Sequence, residues 1–168
     1  GKKVQVADMR RDNNIHTGDH VYLQNHPELF TFLDISQNNG GFDWDQPEQR
    51  HWDPIIKVRK NISDNPRPMN NTKIYGSGER SRGGEKQAIQ KFWRSIFAGC
   101  ASVRFHRPPA GLGLSGSAQI QIKSMSMFID EIDIFSCHPR NDLLQERQPN
   151  EAYCLAKPCN FYAIYFTD

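Results

Sequence analysis

Arg104, His106 and Arg107 stand in "ASVRFHRPP" (residues 101–109), a segment that Val103 and Phe105 otherwise mark as an apolar strand. Burying an unpaired charge costs several kcal/mol, so such groups end a core strand only where they meet partners or a ligand. A guanidinium grips carboxylates and phosphates through paired hydrogen bonds, and an imidazole changes charge near neutral pH. Side chains alternate across a strand, which puts Arg104 and His106 on one face and Val103 and Phe105 on the other. Two chemistries fit: capture of an anionic group by Arg104, His106 and Arg107, or a network in which they hold a nearby carboxylate.

Asp34 is the foremost carboxylate. It lies between Leu33 and Ile35 in "TFLDIS", and an apolar setting can raise a carboxyl towards the range of a general acid. Pairing with an arginine of a neighbouring strand, such as Arg104, would make it structural instead. Asp8 and Asp12 in "ADMRRDNN" are the other candidates, although loop aspartates often serve as turn caps. Gln37, Asn38 and Asn39 follow one strand-like run, and Asn70, Asn71, Lys73 and Tyr75 end another. Amides both donate and accept, which suits hydroxyl-rich ligands, and ordinary polar turns use the same residues. Among the tryptophans, Trp44 in "GFDWDQ" is the better stacking platform and Trp52 the better core residue.

Other patterns carry less. His16 and His20 have the spacing of a metal pair on a helix, but Thr17 and Gly18 between them read as a loop, and no metal is expected. Cys154 and Cys159 in "CLAKPC" have neither zinc-ribbon nor redox spacing. For the four cysteines buried thiols are the leading reading, with one disulfide or a metal as alternatives. "GSGERSRGG" lacks the G-K-[ST] of a phosphate loop. The N-x-[ST] matches at Asn61 and Asn70 matter only in a glycosylating secretory route.

These residues need strands to position them. Strand-like runs begin near Val4, Thr31, Arg67 and Ala101, recurring every 27 to 36 residues. Between them, "NHPELF" reads as a short helical turn, and "PEQRHWDPIIKVRKN" as a helix with Trp52, Ile55 and Ile56 on one face. "EKQAIQKFWRSIFAG" is the clearest helix, and a further one starts near Ser115 or Ser117 with Ile122, Met125, Ile129 and Ile132 on one face. Such a βα rhythm implies parallel strands covered by helices. Four units make half of a (β/α)8 barrel, whose full length is about 250 residues and whose chemistry sits at the carboxyl ends of its strands. The rhythm then changes, because "EAYCLAK" and "NFYAIYF" are separated only by a turn and read as a hairpin. The expected fold is therefore α/β: a partial barrel over residues 1–146, then the first hairpin of an antiparallel β module over 147–168. A self-contained flavodoxin-like sheet is the alternative.

"FTFLDISQNN", "RPMNNTKIYG", "FWRSIFAGCASVRFHRPPAGLGL", "NDLL" and "NEAYCLA" together resemble the C-terminal part of cellulase-like, apiosidase-like (β/α)8 glycoside hydrolases, over essentially the whole chain. The resemblance makes the four strands barrel strands five to eight and the hairpin the start of a collagen-binding-type β module. It implies a carbohydrate partner, no cofactor, hydrolysis of O-glycosidic bonds by a longer form, and a missing N-terminal half of the barrel. It leaves the location of that longer protein open, a secreted or periplasmic one being compatible. Retaining members of the family place a glutamate after strand four and another after strand seven. Strand four would lie upstream of Gly1, and Asn70, Asn71, Thr72, Lys73 and Tyr75 hold no carboxylate, so neither role transfers. Asp34 and Asp8 become the catalytic candidates. Gln37, Asn38, Trp44, Asn70, Asn71, Lys73, Tyr75, Arg104, His106 and Arg107 become saccharide ligands, and a non-catalytic carbohydrate-binding barrel is the competing reading.

Composition bounds the rest. The chain has 168 residues, 37% apolar and 11% aromatic, which is globular material and enough for one domain or a piece of a larger protein. Its net charge of +2 arises from interspersed signs, which argues against a nucleic-acid-binding arm or a membrane-surface helix. No apolar run approaches the roughly 20 residues that span a bilayer, and no signal peptide is visible. The start at Gly1 reads as if upstream sequence were missing.

Overall fold

The computed structural model describes residue 15 and residues 18–36, 51–74, 84–106 and 113–167. Within them the chain is mixed α/β, with four α-helices and two three-stranded sheets, one parallel and one antiparallel. The strand expected over residues 3–8 lies outside the described residues, so the expected half-barrel stands here as its coarser outline of parallel strands and helices.

The parallel sheet takes its strands in chain order: β1 (Leu33–Asp34), β2 (Met69–Ile74) and β3 (Ser102–Phe105). Parallel neighbours need a long crossover, and α2 (Asp53–Asn61) and α3 (Glu85–Phe97) lie in the two connections. Pro54 suits the first turn of α2, where its missing N–H leaves no bond unmade. Ile55, Val58 and, just past the helix, Ile62 are buried with Trp52. Ile56, expected on the same face, is only partly buried.

On α3, Ala88, Phe92 and Ile96 recur every four residues and vanish from solvent. The Phe92 ring stacks on Phe105 of β3 with centroids 4.6 Å apart and planes 11° apart. Each such buried ring contributes about 1.5–3 kcal/mol. The helix ends because Gly99 turns left-handed at φ +90°. A side chain there would also collide with the Arg59 guanidinium. Then α4 (Gly116–Glu131) begins at Ser115, whose hydroxyl accepts the Ala118 N–H at 3.2 Å.

β5 (Ala152–Lys157) and β6 (Phe161–Phe166) form the expected hairpin, and β4 (His138–Pro139) extends its sheet upstream of residue 147. The hairpin shares a core with the parallel unit. Tyr153 of β5 is wholly buried and lies 4.6 Å from Trp52, centroid to centroid. Arg94 of α3, 1% exposed, donates from Nε to the Tyr153 hydroxyl at 3.0 Å, from Nη1 to His51 Nδ1 at 3.1 Å and from Nη2 to Asn150 Oδ1 at 2.6 Å.

Two local expectations change. "HTGDH", read as a loop, leads into a helix, since α1 (Gly18–Asn25) takes in His20. Of its buried residues His20 and Gln24 are polar and only Leu23 is apolar, so hydrophobic spacing could not reveal it. Asn25 ends that helix, and "HPEL" is a turn in which the His26 carbonyl accepts from Leu29 and Phe30.

Candidate functional site

Four polar side chains, from the carboxyl end of β1 and the adjoining stretch of β2, join in one hydrogen-bonded cluster, and a fifth, from β3, reaches it through the backbone. Asp34 pairs with Asn70 in register, so the two side chains emerge on the same face. Asp34 Oδ1 accepts the Ser36 N–H at 2.8 Å, and Oδ2 accepts from Asn70 Nδ2 at 3.2 Å and Thr72 Oγ1 at 3.3 Å. The Ser36 hydroxyl accepts the Thr72 N–H at 2.6 Å and lies 2.9 Å from Thr72 Oγ1. Because Thr72 spends its hydroxyl proton on Asp34, Ser36 is the donor in that second pair. Arg104 adds its guanidinium, with Nε donating to the Thr72 carbonyl at 3.4 Å. The expected alternation across β3 is met: Phe105 is buried on the helix side and Arg104 is exposed.

The Asp34–Arg104 pair considered from the sequence is replaced by this arrangement, in which Thr72 stands between the two. Neutral donors surround the carboxylate, and Asp34 enters all three bonds as acceptor. Asn70 Oδ1 is buried with no partner among the described residues.

Asn71 goes elsewhere. It faces α3, is 1% exposed, and donates to Ser95 Oγ at 3.5 Å, so it belongs to the core and not to the cluster. Alternation along the strand separates it from Asn70. Asn71 opposes Val103 and Ile74 opposes Phe105, so β2 spends three steps where β3 spends two. One extra residue in β2 lets Asn71 and Ile74 both face the helices, an odd spacing a regular strand forbids. Lys73, within this bulge, is partly buried, as is His106, whose N–H continues the ladder to the Ile74 carbonyl at 2.9 Å. Asp8, Asp12, Gln37, Asn38, Asn39, Trp44, Tyr75 and Arg107 lie outside the described residues.

Ser36 and Thr72 were not among the expected ligands. The signal was present: Asp34 and Ser36, like Asn70 and Thr72, are two apart and therefore share a face.

On α3, Lys91 is 2% exposed. Burial, helped by the positive field of Arg94, brings its pKa down to about 7. Burial pushes the Cys100 thiol up to about 12. All four cysteines are free thiols, three of them buried. No group of three metal-ligating side chains occurs among the described residues, and no helix there is long and apolar enough to cross a membrane.

Compared with protein-family models, curated proteins and solved structures, the chain finds no match.

Proposed function

We propose that this chain is the C-terminal part of a glycoside-hydrolase-like (β/α)8 protein and contributes one side of its saccharide-binding rim. The observation that supports this reading is the joining of Asp34, Ser36, Asn70, Thr72 and Arg104, from three neighbouring parallel strands, at the carboxyl end of β1 and beside the middle of β2 and β3. That end is where barrel enzymes bind substrate. The chain-order winding supports the same reading, since doubly wound sheets bind ligands where the strand order reverses. A carboxylate, amide, hydroxyls and a guanidinium together complement the vicinal hydroxyls of a sugar.

Hydrolysis of a glycosidic bond ordinarily takes two carboxyl groups. The cluster supplies Asp34, and a partner from elsewhere in the longer protein would supply the other. A non-catalytic saccharide-binding role is the second reading. It is favoured by the three bonds Asp34 already accepts and by the lack of any carboxylate in Met69–Ile74.

Asp34→Asn in the full-length form separates the two, with turnover and calorimetric saccharide binding both measured. A loss of kcat of about 100-fold or more with folding intact supports the hydrolase. A fall in affinity in a protein that never turns over supports the binding module. Saccharide affinity unchanged by the substitution removes the cluster from both.

A further inference from the structure

The amino-terminal end of the same sheet carries a different chemistry. Pro68 precedes β2 and Ala101 precedes β3, and beside them opens a cavity of about 350 Å³. Arg59 of α2 and Arg67 reach it from the parallel unit, Phe135 from the segment ahead of β4 and His138 from β4 itself. Arg59 Nη2 donates to His138 Nδ1 at 2.9 Å, so its partner is another basic group and not a carboxylate. Arg67 gives its terminal nitrogens to the carbonyls of Leu23, Gln24 and Phe30, and its buried Nε has no partner among the described residues. Among the described residues neither of these partly buried guanidiniums has a bonded counter-charge, which an anion in the cavity would supply.

We propose that this cavity is a second binding site, for a small organic anion whose oxyanion meets Arg59 and Arg67 and whose apolar body lies against Ile96, Ile134 and Phe135. Guanidinium forks match both carboxylate and phosphate oxygens. The volume exceeds what a bare inorganic ion fills and lies at the small end of ligand pockets. Cys100 and Cys137 also line it. Burial raises both thiols, so neither opposes an anion with a thiolate at neutral pH. The Asp133 carboxylate accepts the Phe135 N–H at 3.2 Å and is not among the lining groups. Glu28, whose field reaches Arg67, is bonded to His26. The site lies on the amino-terminal side of β2 and β3 and shares no lining residue with the Asp34 cluster, so its existence does not depend on saccharide binding there.

Calorimetry on the 168-residue chain with phenyl phosphate, benzoate, inorganic phosphate and phenol tests it. Phenyl phosphate or benzoate is expected to bind one site with a Kd of about 1 mM or tighter, and the stronger of the two identifies the oxyanion. Neutral phenol and inorganic phosphate should each bind at least about tenfold more weakly, lacking the charge and the apolar body respectively. Arg59→Gln should weaken binding about tenfold or more. Phe135→Glu, at a side chain 73% exposed and unable to disturb the core, should weaken it several-fold by setting a like charge at the mouth. No binding of either organic anion, or binding untouched by both substitutions, overturns the proposal.

Discussion

Arg94 and Asp34 are both charged and nearly out of solvent, and their surroundings differ in completeness. Around Arg94 all three guanidinium nitrogens are bonded, and the Tyr153 hydroxyl closes the loop by donating to Asn150 Oδ1 at 3.0 Å. Around Asp34 the carboxylate is satisfied, but Asn70 Oδ1 has no partner among the described residues and Arg104 stays exposed. A closed network fixes two pieces of structure to each other, here α3 to β5. An open one at a strand terminus keeps capacity for something else. The difference separates structural polarity from polarity that can serve a ligand.

The largest effect should come from opening the closed network. Arg94→Ala takes the shared donor away from the Tyr153 hydroxyl, His51 and Asn150 at once, and should cost about 3–5 kcal/mol in denaturant unfolding. A loss under about 1 kcal/mol would mean that the network does not hold the hairpin to α3.

The next effect follows pH. Lys91 titrates near 7 in the fold against 10.5 in the unfolded chain. Between those values the unfolded state binds more protons, so stability should rise with pH, by up to about 1.4 kcal/mol per unit. Above pH 9 the rise should be opposed, because Cys100 ionises there in the unfolded chain and only near 12 in the fold. Lys91→Met should abolish the rise between pH 7 and 9 and stabilise the protein at pH 7. A slope that survives this substitution would locate the titration elsewhere.

The smallest effect should come from the open cluster. Arg104→Ala is expected to change stability by no more than about 0.5 kcal/mol, since its bond to Thr72 is long and exposed. A cost above about 1 kcal/mol would make the Asp34 cluster another closed network and erase the contrast.

Much of this was legible in the residues. The α3 helix, the alternation of β3, the start of α4 at Ser115 and the β5–β6 hairpin all follow from periodicity and turn chemistry. Asp34 and Arg104 were legible as polar groups near the ends of apolar strands, whereas Asn70, read as ending one, stands second in β2. Asn71 was misplaced although alternation alone separates it from Asn70; what no single segment shows is the extra residue of β2 that brings Ile74 to the same face as Asn71. Helix α1 was hidden by its polar buried face. The Arg94 network could not be foreseen, as its members are separated by 43 to 59 residues in sequence and Arg94 sits among residues that read as an ordinary amphipathic helix. The cationic cavity likewise draws on α2, the strand approaches and residues 134–138, which only the fold makes neighbours.

The bulge in β2 has a consequence for how this protein could change. Its surplus position is absorbed before Ile74, so the aromatic layer between sheet and helix is indifferent to what occupies it. Residues 72 and 73 can therefore be exchanged to re-equip the rim with new chemistry while the foundations stay as they are. Deleting one of them would turn Ile74 outward.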